Sequence, residues 1–160
     1  MKITSFHVEA SSHCNARCPG CPRNINGYNV KDFITLQHLS PERYQEIRDR
    51  YPAVSQVRIN GGLGDPMMNP HITKIVEHSD CFVQITTNGS IGNRNTFEKL
   101  AELSTLIEFS IDGLEDTNHL YRRNVEWSKV MQNADAFIKA GGKADWKWLL
   151  FKHNEHQVEE

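Results

Sequence analysis

The sequence predicts an α/β fold built around one parallel β-sheet. Short apolar segments alternate five times with amphipathic segments of helical period, which is the pattern of repeated β/α units. The 160 residues are 38% apolar and 24% charged, as in a globular domain with a sizeable core. Right-handed crossovers between such units bring the carboxyl ends of the strands to one edge, where ligands of parallel sheets bind.

The first β/α unit is predicted at the N-terminus. Ile3–Glu9 alternates apolar and polar residues, which favours a half-buried strand. A cysteine-rich loop and a polar stretch follow. Ser40 and Pro41 are a good N-cap and a good first helical residue, so a helix is expected to begin there and to end before Pro52.

The second and third units follow with the same order of elements. Val54–Asn60 is predicted as a strand, and Asn69–Pro70 as the start of a short helix. Cys81–Thr87 is predicted as the third strand because Cys81, Val83 and Ile85 alternate. The turn residues Asn88 and Gly89 end this strand, and a helix is expected after them.

The last two strands flank the longest predicted helix. Leu106–Asp112 is predicted as a strand, Val125–Ala140 as a helix and Ala144–Phe151 as the fifth strand. Asn154 is expected to cap a final helix. The apolar stripe of the long helix is predicted to comprise Trp127, Val130, Met131, Ala134, Phe137 and Ile138.

Three cysteines lie within eight residues after the first strand. Cys14, Cys18 and Cys21 have the spacing C-x3-C-x2-C, and three thiolates in so short a loop can converge on one metal centre. A structural zinc site needs four ligands, so His13 or a distant histidine would have to complete it. Three thiolates on a four-iron cluster would instead leave one iron open. The third alternative is three reduced cysteines that lie close together without binding a metal. Cys81 is expected to be a small core residue.

This cysteine motif resembles the signature of the radical S-adenosylmethionine (radical SAM) superfamily. Three further segments resemble that family's loops in the same order, from the glycine-rich loop onwards, and the resemblance extends from about Phe6 to Asn154. These segments are Gly62–Pro66, Ile85–Gly89 and Phe109–Gly113. Asp65 stands where the family usually has Glu.

The resemblance implies a partial (β/α) barrel and a specific chemistry. Cys14, Cys18 and Cys21 would hold a [4Fe–4S] cluster, and S-adenosylmethionine would chelate the open iron. Reductive cleavage would then give a 5′-deoxyadenosyl radical that takes hydrogen from a substrate. The residues expected to bind the cofactor are Gly62, Gly64, Asp65, Thr87, Asn88, Ser110 and Asp112.

The sequence defines the partners and the substrate less closely than the cofactors. The resemblance implies an electron donor such as a flavodoxin or ferredoxin, and a substrate that is a peptide, a nucleotide or a metabolite. The net charge of −2 argues against general nucleic-acid binding, and no apolar run reaches the ~18 residues of a membrane span. Without an export signal, a cytoplasmic location is expected. The alternative function is a non-catalytic accessory or binding protein with a structural zinc or iron–sulfur site.

Two expectations concern the C-terminal half. The family core is usually six-stranded, so residues 1–160 are expected to form a single core domain that lacks the last β/α unit and has no auxiliary-cluster domain. Trp146, Trp148 and Leu150 would then lie uncovered at the fifth strand. Arg122 and Arg123 are expected at a solvated helix start, with an arginine that holds a carboxylate or phosphate as the alternative.

Overall fold

The computed structural model describes residues 2–103 and 105–159, and it confirms one parallel five-stranded sheet with alternating helices. The predicted domain also includes positions 1, 104 and 160, which lie outside the described residues. The strands lie side by side in chain order, and each neighbouring pair is parallel. They are β1 (Ser5–Val8), β2 (Gln56–Ile59), β3 (Phe82–Thr87), β4 (Leu106–Ser110) and β5 (Lys143–Lys147).

In the described residues, five α-helices connect the strands. They are α1 (Pro41–Arg50), α2 (Ile72–Glu77), α3 (Arg94–Glu102), α4 (Asn118–Tyr121) and α5 (Trp127–Lys139). The predicted N-cap of α1 is confirmed, because the Ser40 hydroxyl accepts a hydrogen bond from the Arg43 N–H at 3.1 Å.

Several predicted boundaries were wrong. The strands are shorter than their apolar patterns, because only their central residues pair with neighbours. Asn69 precedes α2 without capping it, since its side chain accepts from the His71 N–H and donates to the carbonyls of Ala10 and Leu39. Asn154 likewise leads only a 3₁₀ turn, Glu155–Gln157.

The helices pack on the outer face of the sheet. The aromatic ring of Phe109 on β4 lies between Phe97 of α3, at 5.9 Å, and Phe137 of α5, at 6.2 Å. Two residues of the predicted α5 stripe, Met131 and Ile138, are exposed, so the buried stripe is narrower than expected. The buried apolar strand residues of this face are Val57, Ile59, Val83, Ile85, Ile107 and Phe109.

The inner face of the sheet is polar and open. Residues paired in register across a parallel sheet point to the same side, so the inner face can be read from the strand pairing. Its half-buried or exposed polar residues are Ser5, His7, Gln56, Arg58, Gln84, Thr86, Glu108, Lys143, Asp145 and Lys147.

The edge strand β5 is exposed throughout. Of the three residues expected to lie uncovered on this strand, only Trp146 belongs to it; Trp148 and Leu150 lie beyond its end, and Trp148 is half-buried. Trp146 is 48% exposed and Leu150, beyond the strand, is 65% exposed. Trp146 stacks on Trp148 at 5.4 Å and donates its indole N–H to the Ile111 carbonyl. Apolar groups of this size are normally covered in parallel sheets. Within the described ranges, no helix is long and apolar enough to cross a bilayer.

Candidate functional site

The loops after β1, β2, β3 and β4 surround one cavity of about 200 Å³. The wall contains all three residues of the cysteine motif. It also contains five of the seven predicted cofactor residues, namely Gly64, Asp65, Thr87, Asn88 and Ser110. Gly62 and Asp112 lie outside the wall. Gly62 follows Gly61, which lines it, and Asp112 is hydrogen-bonded to Arg122 and Leu149, which also line it. The residues that the sequence predicted at the strand ends are therefore brought together around one cavity.

A tight turn positions the three cysteines. The Cys21 N–H donates to the Cys18 carbonyl at 3.1 Å, and the Asn24 amide donates to the same carbonyl at 3.3 Å. Cys18 is buried, whereas Cys14 and Cys21 are half-buried, and all three are free thiols. The Arg17 N–H also donates to the Arg123 carbonyl, which ties the loop to the residues after α4.

Burial raises the pKa of two of these thiols, Cys14 and Cys18. Desolvation, followed by the charge of Asp65, raises the pKa of Cys14 to about 12. Desolvation also raises the pKa of Cys18, although the Arg122 guanidinium, 3.9 Å from its sulfur, opposes the shift. Because metal centres bind the thiolate, metal binding must displace these protons.

The donor set fits a three-thiolate cluster. Among residues 2–103 and 105–159, no three His, Cys, Asp or Glu side chains are grouped so as to bind one metal ion. The three thiols instead line the wall of a shared cavity, and iron–sulfur clusters are held by cysteine thiolates. Cys81 does not line this cavity. It lies one residue before β3 rather than inside it, and it is half-buried and packs against the hydrophobic core.

Asp65 joins the glycine loop to the end of β3. Its buried carboxylate accepts hydrogen bonds from the Met67 N–H at 2.9 Å, from the Thr87 hydroxyl at 2.8 Å and from the Asn88 N–H at 2.8 Å. Burial raises the pKa of Asp65, and these hydrogen bonds oppose the shift. The Asn88 amide in turn donates to Asn15 in the cysteine loop. Asp65 therefore organises three of the four loops.

Arg122 lies in the site rather than at a solvated helix start. It follows the short helix α4, and its side chain is only 15% exposed. Its Nε donates to the fully buried Asp112 carboxylate at 2.5 Å, while the other Asp112 oxygen accepts from the Leu149 N–H at 2.7 Å. The expectation of solvation was wrong because a four-residue helix leaves no periodic pattern in the sequence.

Two further residues brace the loops and were missed from the sequence. The Glu9 carboxylate accepts from the N–H groups of Gly62, at 3.0 Å, and Leu63, at 3.1 Å. Buried Arg23 donates from Nε to the Leu63 carbonyl and from Nη2 to the Ser12 carbonyl, both at 2.8 Å. Glu9 could have been found by the strand-end criterion, since it directly follows β1.

We expect Gly64→Ala to destabilise the protein far more than Gly62→Ala. A Cβ on Gly64 would collide with the backbone carbonyls of Ser11 and His13, whereas one on Gly62 would meet only the end of the Glu9 side chain, which can move. Overpacking of this kind costs roughly 1–3 kcal/mol. Urea unfolding of both variants measures the difference, and equal midpoints would contradict the close approach of the two loops.

A family model described as the radical SAM superfamily matches residues 8–160. Among curated proteins, an uncharacterised protein of Methanocaldococcus jannaschii, MJ0907, is 30% identical over 116 residues. That match includes 68% of this chain and 38% of the relative. The chain therefore spans less than half the length of this relative.

Solved structures share the fold. Native anSMEcpe with bound AdoMet superposes with a TM-score of 0.73 at 21% identity, over 90% of this chain and 44% of that chain. Methylornithine synthase (PylB) superposes with a TM-score of 0.63 at 14% identity, over 91% of this chain and 44% of that chain. Both likenesses concern the parallel sheet and its helices.

Proposed function

The chain belongs to the radical SAM superfamily, and from that premise we propose that it is a radical SAM enzyme, or the catalytic core of one. Cys14, Cys18 and Cys21 would hold a [4Fe–4S] cluster in the cavity described above. When bound, this cluster would pass one electron from a donor to S-adenosylmethionine, whose cleavage would give methionine and a 5′-deoxyadenosyl radical able to take a hydrogen atom from the substrate. The observation that carries the proposal is the common cavity of three free thiols and four strand-end loops.

The surrounding residues would bind and orient the cofactor. Thr87 and Asn88 present hydroxyl and amide groups in the wall, and Ser110 adds a hydroxyl from the end of β4. Asp65 holds the glycine loop against this wall through its own hydrogen bonds. The Arg122 guanidinium lies beside the Cys18 sulfur, where a cation stabilises a thiolate.

Arg122 also offers a binding group for an anion. Its Nε is bound to Asp112, whereas Nη1 points to Cys18 and the residue lines the cavity. Guanidinium groups pair well with carboxylates, so the carboxylate of the methionine moiety is the partner that we assign to it. Free thiols fit a reducing compartment, which favours the cytoplasm, and an electron donor such as a flavodoxin or ferredoxin would supply the electron.

Anaerobic reconstitution tests the proposal. The protein is loaded with iron and sulfide, and bound iron and acid-labile sulfide are counted. Dithionite and S-adenosylmethionine are then added, and 5′-deoxyadenosine is measured by chromatography. We expect about four irons per chain, as a four-iron cluster requires, and 5′-deoxyadenosine that depends on the reductant. Bound zinc in place of iron, with no 5′-deoxyadenosine, would favour an accessory protein with a structural metal site.

A further inference from the structure

A row of hydrogen-bonded polar side chains crosses the inner face of the sheet beside the cysteine cavity. The Thr86 hydroxyl on β3 lies 3.2 Å from Asn60 Oδ1 and 3.0 Å from Glu108 Oε1 on β4. Lys147 Nζ on β5 lies 2.9 Å from the same Glu108 oxygen. Because Thr86 also lines the cavity, the row touches the cavity wall at Thr86, and Glu108 and Lys147 lie beyond the wall.

Charged side chains make this row unlike the usual interior of a parallel sheet. Strands of parallel sheets are commonly buried on both faces and are apolar throughout. Here the apolar inner-face residues, Phe82 and Leu106, lie at the amino ends of β3 and β4, and polar residues occupy the carboxyl half. The inner face is therefore suited to a polar molecule near the cavity.

Glu108 retains binding capacity within the row. Both of its hydrogen bonds fall on Oε1, and Oε2 has no hydrogen-bond partner in the described part of the chain. Asp145 of β5 pairs with Glu108 in register and places a second carboxylate on the same face. The two carboxylates would together attract an ammonium group.

Lys147 provides the opposite charge on the neighbouring strand. Its side chain is 50% exposed and that of Glu108 is 20% exposed, so the ion pair between them is open to solvent and contributes little to stability. Lys147 pairs in register with Ser110, which lines the cavity. A ligand with both charges can therefore replace this internal pair by two pairs of its own.

We propose that this row is the substrate-binding surface and that the substrate carries both an amino group and a carboxylate, which bind to Glu108 and Lys147 respectively. The inference rests on the proposed function, because it places the reacting molecule beside the cavity that would hold S-adenosylmethionine. Neighbouring strands lie about 4.8 Å apart, which matches a short separation between the two charged groups.

Three matched probes test the inference by ¹H–¹⁵N NMR on the purified full chain. The probe 4-aminobutanoate carries both charges, whereas butylamine and butanoate each lack one. We expect 4-aminobutanoate to shift amide signals of β3, β4 and β5 near the row. We also expect it to bind at least about tenfold more tightly than either single-charge probe, which corresponds to one charged hydrogen bond.

Two variants assign the binding groups. Glu108→Gln keeps the hydrogen bond from Thr86 but removes the charge, and we expect it to weaken binding of 4-aminobutanoate about tenfold. Glu98→Gln, on the outer helix α3, is the matched control and should leave binding unchanged. Thermal unfolding establishes that both variants are folded.

The outcomes are separable from those of the cofactor experiment, because this titration needs neither cluster nor S-adenosylmethionine. Absence of shifts at the row, equal binding of all three probes, or unchanged binding by Glu108→Gln would each overturn the assignment. Probe binding in a protein that does not load iron would instead support the surface and count against the proposed function.

Discussion

Replacing Cys18 by Ala is expected to abolish binding of the iron–sulfur cluster, and replacing Cys14 or Cys21 is expected to do the same. Each thiolate would hold a different iron, and the part of the chain that the structure describes places no other cysteine in the cavity wall. Removing one ligand therefore leaves two protein ligands for four irons. The broad visible absorption of the reconstituted protein and its iron content measure the effect.

Cys81→Ala is the matched control for these three variants. Cys81 is also a free cysteine, but it is half-buried before β3 and away from the cavity. We expect this variant to bind as much iron as the unmodified chain. Full cluster content in Cys18→Ala, or loss of the cluster in Cys81→Ala, would contradict the assignment of the three ligands.

The order of elements could be predicted from the sequence because each strand is a short apolar run between turn residues. Side-by-side strands in chain order are then the usual arrangement, because consecutive elements are usually adjacent in space. The ends of the elements could not be predicted, since they depend on which backbone groups find a partner. Asn69 shows this, because its side chain bonds to the distant carbonyls of Ala10 and Leu39 rather than capping α2.

The sequence could also predict which loops come together, but not which hydrogen bonds their side chains form. The rule that ligands bind at strand ends brought together the cysteines and the residues after β2, β3 and β4. The sequence did not indicate that the carboxylates of Asp65 and Asp112 accept hydrogen bonds from other residues of the chain. Such pairings depend on loop conformation, which leaves no periodic pattern. The roles of all seven residues in cofactor binding, and of the three cysteines in metal binding, stay predictions.

The pairing of Asp112 with Arg122 predicts a second large effect. Asp112→Asn keeps an oxygen for the Leu149 N–H but removes the charge beside Arg122. Asp112 is fully buried, and breaking a buried ion pair costs about 3–5 kcal/mol because the remaining charge is left without a partner. Since the Arg122 side chain is 15% exposed, we expect Asp112→Asn to lower the free energy of unfolding in urea by the lower end of this range, about 3 kcal/mol.

Asp135→Asn is the control for the loss of one negative charge. Asp135 pairs with Lys139 on α5 at 2.8 Å, but both side chains are more than half exposed. Exposed pairs of this kind contribute about 0–1 kcal/mol, so the unfolding midpoint should hardly change. A similar loss of stability in both variants would show that net charge, rather than burial, determines the effect.

A double-mutant cycle separates the structural role of Asp112 from a role in cofactor binding. In the Arg122→Gln background, Asp112→Asn no longer leaves a buried cation unpaired, so the two losses of stability should fail to add by about 0.5–3 kcal/mol. Titration of S-adenosylmethionine into the reconstituted variants gives the second measurement. If Arg122 binds the cofactor carboxylate, Arg122→Gln alone should weaken binding by about 1.5–3 kcal/mol, the range for a hydrogen bond to a charged group. If Arg122→Gln leaves the affinity for S-adenosylmethionine unchanged, the Asp112–Arg122 pair has only a structural role, which is to hold the end of β4 and Leu149 in place.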